Sequence, residues 1–123
     1  MKTELPPIHH VMIAIPPGGE DAARTFYVEA LGLVEIPKPA SLEARGGLWV
    51  ETGSLDLHFG IDRGFVPARK AHIALLVHNL ELVRARLSAA GHDPGVIELE
   101  LPGFRRCYVD DPFGNRVELL QSL

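Results

Sequence analysis

Two short stretches of this chain repeat one another, and that repeat limits the possible folds more than any other feature. His10-Val11-Met12-Ile13-Ala14-Ile15 and His72-Ile73-Ala74-Leu75-Leu76-Val77 each open on a histidine and continue as an alternating or wholly apolar run. In the first, Val11, Ile13 and Ile15 occupy one phase, and His10, Met12 and Ala14 the other. Period-two alternation with β-branched residues on one side predicts a half-buried strand, here over Ile8–Ile15 and again over His72–Val77. A helical pattern follows each strand. Pro16-Pro17-Gly18-Gly19 stops the first strand, and Glu20 to Leu31 then puts Ala23, Phe26, Tyr27 and Ala30 on one face. Acidic residues stand in the first turn of that helix, and Gly32 occupies the C-terminal cap position. After the second strand, Asn79 is a suitable N-cap, Leu80, Val83, Leu87 and Ala90 form an apolar stripe, and Gly91 ends the helix.

The remaining segments complete the pattern. Leu33–Ile36 is a short predicted strand ended by Pro37 and Pro39, and Gly47–Thr52 with Leu55–Ile61 reads as a hairpin around Gly53-Ser54. In the second half, Val96–Leu99, Phe104–Val109 and Arg116–Gln121 are strand candidates, with Asp111-Pro112-Phe113-Gly114-Asn115 as a strong turn. The order is strand, helix and three strands, twice. Two copies are too few for a solenoid. They suit an α+β fold in which two βαβββ units, 8–61 and 71–121, pair by a pseudo-twofold axis within one domain spanning 1–123. A chain of 123 residues is of the right size for one such domain.

Four polar residues interrupt this plan at matched places. His10 lies in the Met12/Ala14 phase and His72 in the Ala74/Leu76 phase. His58 lies opposite Leu55, Leu57 and Phe59, and Glu118 opposite Val117 and Leu119. The apolar phases are the faces for helices to cover, so all four polar side chains belong to the other side of the sheet. His58 follows His10 by 48 positions and Glu118 follows His72 by 46. Each unit therefore puts one polar residue on its first strand and one on its last, and a twofold relation between units lets the four converge. A carboxylate among apolar neighbours is costly unless it is paired or binds a cation. Three imidazoles and a carboxylate make a reasonable first-row metal site. His9 falls in the opposite phase to His10 and has no counterpart, since Ala71 precedes His72; His78 and His92 lie at a strand end and a helix end and read as surface residues.

Composition narrows the function classes. The formal net charge is −4 with no basic cluster, which argues against nucleic acid as a partner. No apolar run approaches the roughly 20 residues that span a bilayer, and residues 1–7 lack a signal-peptide pattern. Cys107 is the one cysteine, so no internal disulfide forms. A cytoplasmic setting is the expectation.

Several of these stretches together resemble the vicinal oxygen chelate superfamily, which includes glyoxalase I, methylmalonyl-CoA epimerase, fosfomycin-resistance and bleomycin-binding proteins, and extradiol dioxygenases. The carriers are the two histidine-led strands, Phe26-Tyr27-Val28-Glu29-Ala30-Leu31-Gly32-Leu33, and Asp110 to Leu119 with its Asp-Pro-Phe-Gly-Asn turn. The match runs from about residue 8 to residue 121. The resemblance implies paired βαβββ units whose mixed sheet curls into a cup around a divalent ion, which a substrate chelates through neighbouring oxygens. It carries the metal-ligand roles of the family onto His10, His72 and Glu118. Where glyoxalase I and the epimerase use a Glu or Gln as fourth ligand, this chain has His58.

Two arrangements stay open at this point: His58 as fourth ligand, or a two-histidine, one-carboxylate triad with open positions, as in non-haem iron oxygenases. Zn, Ni, Fe and Mn all suit the set. The expected activity is that of a metal-dependent lyase or isomerase acting on a small oxygenated substrate, with Glu118 as base. The alternatives are an extradiol-type ring-cleaving dioxygenase, or a non-enzymatic antibiotic-binding resistance protein. Arg106 and Tyr108 share a phase opposite Cys107 and Val109, and read either as substrate-binding residues or as an exposed Arg and a rim Tyr. Trp49 either lines the pocket or fills core. Arg116 shares the phase of Glu118. Open strand edges and the size of related chains point to a homodimer, with His10 and His58 from one subunit meeting His72 and Glu118 from the other.

Overall fold

The computed structural model describes residues 4–123. The fold is α+β, with two separate sheets. The first runs β1 (His10–Ile15), β4 (Asp56–Ile61), β3 (Leu48–Glu51), β2 (Val34–Ile36) from edge to edge. The second runs β5 (Ile73–Leu76), β7 (Arg116–Ser122), β6 (Phe104–Asp110). Both are mixed: β1 lies parallel to β4 and β5 parallel to β7, and the other pairs are antiparallel. The chain forms two compact units. One is Met1–Glu20, as far as it is described, with Leu33–Phe65; the other is Asp21–Gly32 with Val66–Leu123.

In the first unit the apolar phase packs as the repeat predicts. Leu57 and Phe59 face Val50 and Leu48 across the β3–β4 ladder, and all four are buried. Between β2 and β3, where no regular element was expected, a one-turn helix α2 (Ala40–Glu43) forms. Its loop is fastened at the far end: Gly47 donates its backbone N–H to Glu20 Oε2 at 3.0 Å, and Lys38 Nζ donates to the Gly46 carbonyl. Gly46 and Gly47 have φ of +72° and +81°, a region that only glycine enters freely.

The helix expected over Glu20–Leu31 begins as one α turn, α1 (Glu20–Ala23), and then, in the second unit, widens into a π-helical stretch over Arg24–Ala30. The Leu31 N–H reaches back five residues to the Phe26 carbonyl at 2.9 Å. Ala23, Phe26, Tyr27 and Ala30 are buried, the face the sequence foretold. The wider turns allow the consecutive Phe26 and Tyr27 both to be fully enclosed. Helix α3 (Leu80–Ala89) is capped by Asn79, whose side chain accepts the Leu82 N–H at 3.1 Å. Leu80, Val83 and Leu87 are buried, but Ala90 is exposed beyond the last turn. Cys107, Val109, Val117 and Leu119 supply the sheet's side of this core.

One expected strand is absent. Val96–Leu99 contributes a single bridge, Glu98 to Arg106, rather than a strand. Val96 is 81% exposed and Leu99 65%, so neither phase has a core to cover, and flanking Pro94 and Pro102 limit any ladder. Among the described residues no helix is long and apolar enough to cross a membrane.

Candidate functional site

The parallel ladders account for the matched spacing of the four polar residues. In β1–β4, Met12 stands opposite His58, and His10 is two residues before Met12. In β5–β7, Ala74 stands opposite Glu118, and His72 is two residues before Ala74. Each unit thus joins an edge-strand histidine diagonally to a donor on the central strand. His72 lies just ahead of β5 rather than within it.

In the first unit, three rings stack. His58 lies against His10 at 4.1 Å between centroids, 14° from parallel, and against Trp49 at 3.9 Å and 2°. β4 runs between β1 and β3, so the two neighbours cover opposite faces of the His58 imidazole. Trp49 is therefore both a pocket wall and a packing partner of a candidate ligand. The ring's Nε2 edge is buried and has no hydrogen-bond partner. Burial first, and then the adjacent His10, push the His58 pKa below the ordinary histidine value, so the neutral, metal-competent form is favoured. His10 Nδ1 is 2.9 Å from His9 Nδ1, which leaves Nε2 of His10 as its available nitrogen. His9, set aside by its strand phase, therefore serves as the orienting neighbour of His10.

In the second unit, His72 Nε2 lies 2.8 Å from Glu118 Oε1, and His72 Nδ1 lies 2.7 Å from the Lys70 carbonyl. A carbonyl only accepts, so Nδ1 carries a proton. In a neutral imidazole, Nε2 is then a bare lone pair facing a carboxylate oxygen. Two acceptors at this distance require a proton or another cation shared between them. Glu118 is 6% exposed. Its other oxygen is 3.5 Å from Arg106 Nη1, and Arg106 Nε donates to Glu98 in a close ion pair.

The Arg106 guanidinium is thus engaged by two carboxylates. Tyr108, opposite Glu118 in the β6–β7 ladder, has its ring edge-on to His72 at 5.6 Å, with the Arg106 and Arg116 guanidinium carbons 5.5 and 5.2 Å from its centroid. Cys107 and Val109 are buried on the opposite phase, as alternation requires. Among the described residues no group of three or more His, Cys, Asp and Glu stands together as a metal-holding cluster; the four candidates come as one pair in each unit.

Other functional features were not legible in the sequence. A cavity of about 480 Å³ in the first unit is walled by His10, His58 and Trp49 and rimmed by Lys38 and Arg45. The two cations stand in a segment whose sequence carried no readable period. His92, read as a surface histidine, has a buried Nε2 without a partner and packs edge-on against Phe26 at 4.8 Å between centroids. It borders a second cavity, of about 520 Å³, with Asp93, Tyr108, Asp110 and Arg116. Tyr27 and Asp111 were legible only as parts of separate motifs; the structure joins them by a 2.7 Å hydrogen bond.

Comparison with known proteins gives a consistent fold and includes a relative of substantial identity. No protein-family model and no curated protein sequence matches the chain. Among solved structures, a Bacillus anthracis protein assigned to the glyoxalase family is 38% identical with a TM-score of 0.91, and the match covers 100% of both chains. A glyoxalase family protein from Enterococcus faecalis is 28% identical with a TM-score of 0.72, over 92% of this chain and 95% of that one. Lactoylglutathione lyase from Agrobacterium tumefaciens shares the fold at 19% identity, with a TM-score of 0.68 over 95% and 96% of the two chains.

Proposed function

The chain belongs to the glyoxalase family of the vicinal oxygen chelate superfamily, and from that premise we propose that it is a metal-dependent lyase or isomerase acting on a small oxygenated substrate, with His10, His58, His72 and Glu118 holding one divalent ion. The observation that carries this reading is the His72–Glu118 contact. Nδ1 of His72 is committed to the Lys70 carbonyl, and Nε2 meets a carboxylate oxygen at 2.8 Å, an arrangement that a cation between them satisfies. The buried, partnerless Nε2 of His58 is a donor of the same kind in the other unit. A divalent ion in this set supplies Lewis-acid stabilisation of negative charge on the substrate's chelating oxygens.

The chain's own residues do the rest. Glu118 accepts the substrate proton on a carboxylate oxygen and returns it at the neighbouring carbon. Arg106, itself anchored on Glu98, holds that carboxylate from the second oxygen. Tyr108 and Trp49 stand beside the donors and give the substrate aromatic walls. Because each unit supplies two donors, the reading extends to a homodimer in which His10 and His58 of one protomer face His72 and Glu118 of the partner subunit.

Metal content of the purified chain, measured by mass spectrometry after dialysis against a mixture of Zn, Ni, Fe and Mn salts, tests the proposal. One ion per chain is expected, falling to near zero in both His72→Ala and Glu118→Gln proteins. If these two variants retain the ion at full occupancy, it is bound elsewhere and the reading is wrong. A His58→Ala protein that keeps its ion confines the site to His10, His72 and Glu118.

A further inference from the structure

We propose that the first-unit cavity takes an organic anion, a carboxylate carried on a compact apolar body, with Lys38 and Arg45 as the groups that recognise its charge. This deepens the functional reading above and rests on it only in treating the cavity beside His10 and His58 as the place where substrate binds.

The cavity, of about 480 Å³, has the size of a small-molecule site. Its interior surface is mainly apolar. Met12, Trp49 and Phe59 line it, and β4 has a glycine, Gly60, where any Cβ would come within 2.6 Å of the Met12 sulfur. Met12 can therefore lie flat along the wall. The cavity's charged lining residues are Lys38 and Arg45, and no acidic side chain is among them. In a chain whose formal net charge is −4, this lining favours an anion, and the nearby Glu20 carboxylate is engaged by the Gly47 N–H.

The backbone that bears these cations is held in place. The loop that bears them is pinned by the Glu20 carboxylate on the Gly47 N–H and by Lys38 on the Gly46 carbonyl. Two successive positive-φ glycines fold it back toward β4, and a Cβ on Gly47 would lie 2.0 Å from the Phe59 carbonyl oxygen. The Lys38 ammonium uses one of its three donors on Gly46, which leaves two for a ligand. Arg45 is exposed, and among the described residues no carboxylate pairs with it. Leu42 of α2 lines the cavity between the two cations in sequence. An apolar interior with fixed positive charge at its edge selects a ligand whose body is apolar and whose end is anionic.

The chain contains one tryptophan, Trp49, and it lines this cavity, so binding is read from its emission. Cyclohexanecarboxylate is titrated against cyclohexanecarboxamide, its uncharged isostere, with neither absorbing at the excitation wavelength. Each titration is run on the full chain as purified and again after EDTA. The carboxylate is expected to change the emission saturably and to bind about tenfold more tightly than the amide, with the preference kept after EDTA and reduced by added salt. Arg45→Gln is expected to weaken the carboxylate about fivefold and leave the amide unchanged.

Equal binding of acid and amide overturns the proposal, as does no saturable change with the carboxylate. An Arg45→Gln protein with wild-type carboxylate affinity overturns it too. A preference that disappears with EDTA assigns the anion to a bound metal and overturns the role of Lys38 and Arg45. A preference that persists in a protein that never binds metal leaves this proposal standing and removes the metal reading, so the two fail separately.

Discussion

Tyr27 and Asp111 are 84 positions apart, and their hydrogen bond joins the two stretches that most clearly mark the family. Asp111 also accepts the N–H groups of Phe113 and Asn115, so it ties the turn together while it anchors the helix. Burial, and then the neighbouring Asp111 charge, raise the Tyr27 phenol far above its ordinary value. The folded chain therefore holds a proton that the unfolded chain releases from about pH 10 upward. The contribution of this phenol to stability is full below that pH and falls as pH rises, by about 1.4 kcal/mol per unit while only the unfolded phenol ionises.

Burial raises the Cys107 thiol in the same sense, which adds a slope of the same sign from about pH 8.5. Tyr27→Phe keeps Cys107, so the difference between the two proteins isolates the phenol. The variant should be about 1–2 kcal/mol less stable at pH 7, and its deficit should shrink above pH 10. Parallel stability curves through that range, measured by urea unfolding, contradict the assignment. Glu118→Gln should lower turnover on the true substrate by about two orders of magnitude or more, with a far smaller change in affinity; near-wild-type turnover puts the base elsewhere. The proposed donors His10, His58, His72 and Glu118 stand out in the sequence because polar residues in a strand's phase are conspicuous. The Tyr27–Asp111 pairing was not, because nothing local to either residue states its partner.

At the scale of elements, the strands were legible where alternation had a core to answer to and misleading where it did not. Leu55–Ile61 alternates, and Leu57 and Phe59 of its apolar phase are buried; Val96–Leu99 is as apolar but leaves Val96 and Leu99 exposed, and only the Glu98–Arg106 bridge forms. The π-helical widening over Arg24–Ala30 left no mark in the sequence, since a change of one residue per turn lies within the tolerance of a short apolar period. The α2 loop was equally silent: it is fixed by a carboxylate, a lysine and glycine geometry rather than by periodicity.

That loop yields a comparison between two glycines. Gly47 and Gly53 both have positive φ, +81° and +98°, but a Cβ on Gly47 meets a backbone oxygen at 2.0 Å, whereas nothing lies within 4 Å of one on Gly53. Gly53→Ala should cost about 1 kcal/mol, the conformational term alone. Gly47→Ala should cost about 3 kcal/mol or more, because the backbone of β4 has to move. Equal denaturation midpoints for the two variants contradict a pinned loop.

For the whole molecule, the proposed division of ligands between protomers makes a mixing experiment decisive. A His10→Ala, His58→Ala chain and a His72→Ala, Glu118→Ala chain should each bind little metal alone. Refolded together, their heterodimers should regain one intact site and about half the wild-type metal per dimer. A protein that stays monomeric at micromolar concentration and binds one ion per chain rules the shared site out. The repeat that organises the sequence suggests two halves that fold side by side, but Asp21–Gly32 belongs to the compact unit built from Val66–Leu123. Tyr27 waits for Asp111, Phe26 packs on His92, and the Glu29 carbonyl accepts from Arg86. During synthesis, then, the first helix leaves the ribosome with the apolar face of Ala23, Phe26, Tyr27 and Ala30 uncovered, and most of the chain must follow before its partners arrive. The nascent protein carries that sticky surface until Arg86, His92 and Asp111 have been made, and this is the stage at which chaperone capture or aggregation would compete with folding.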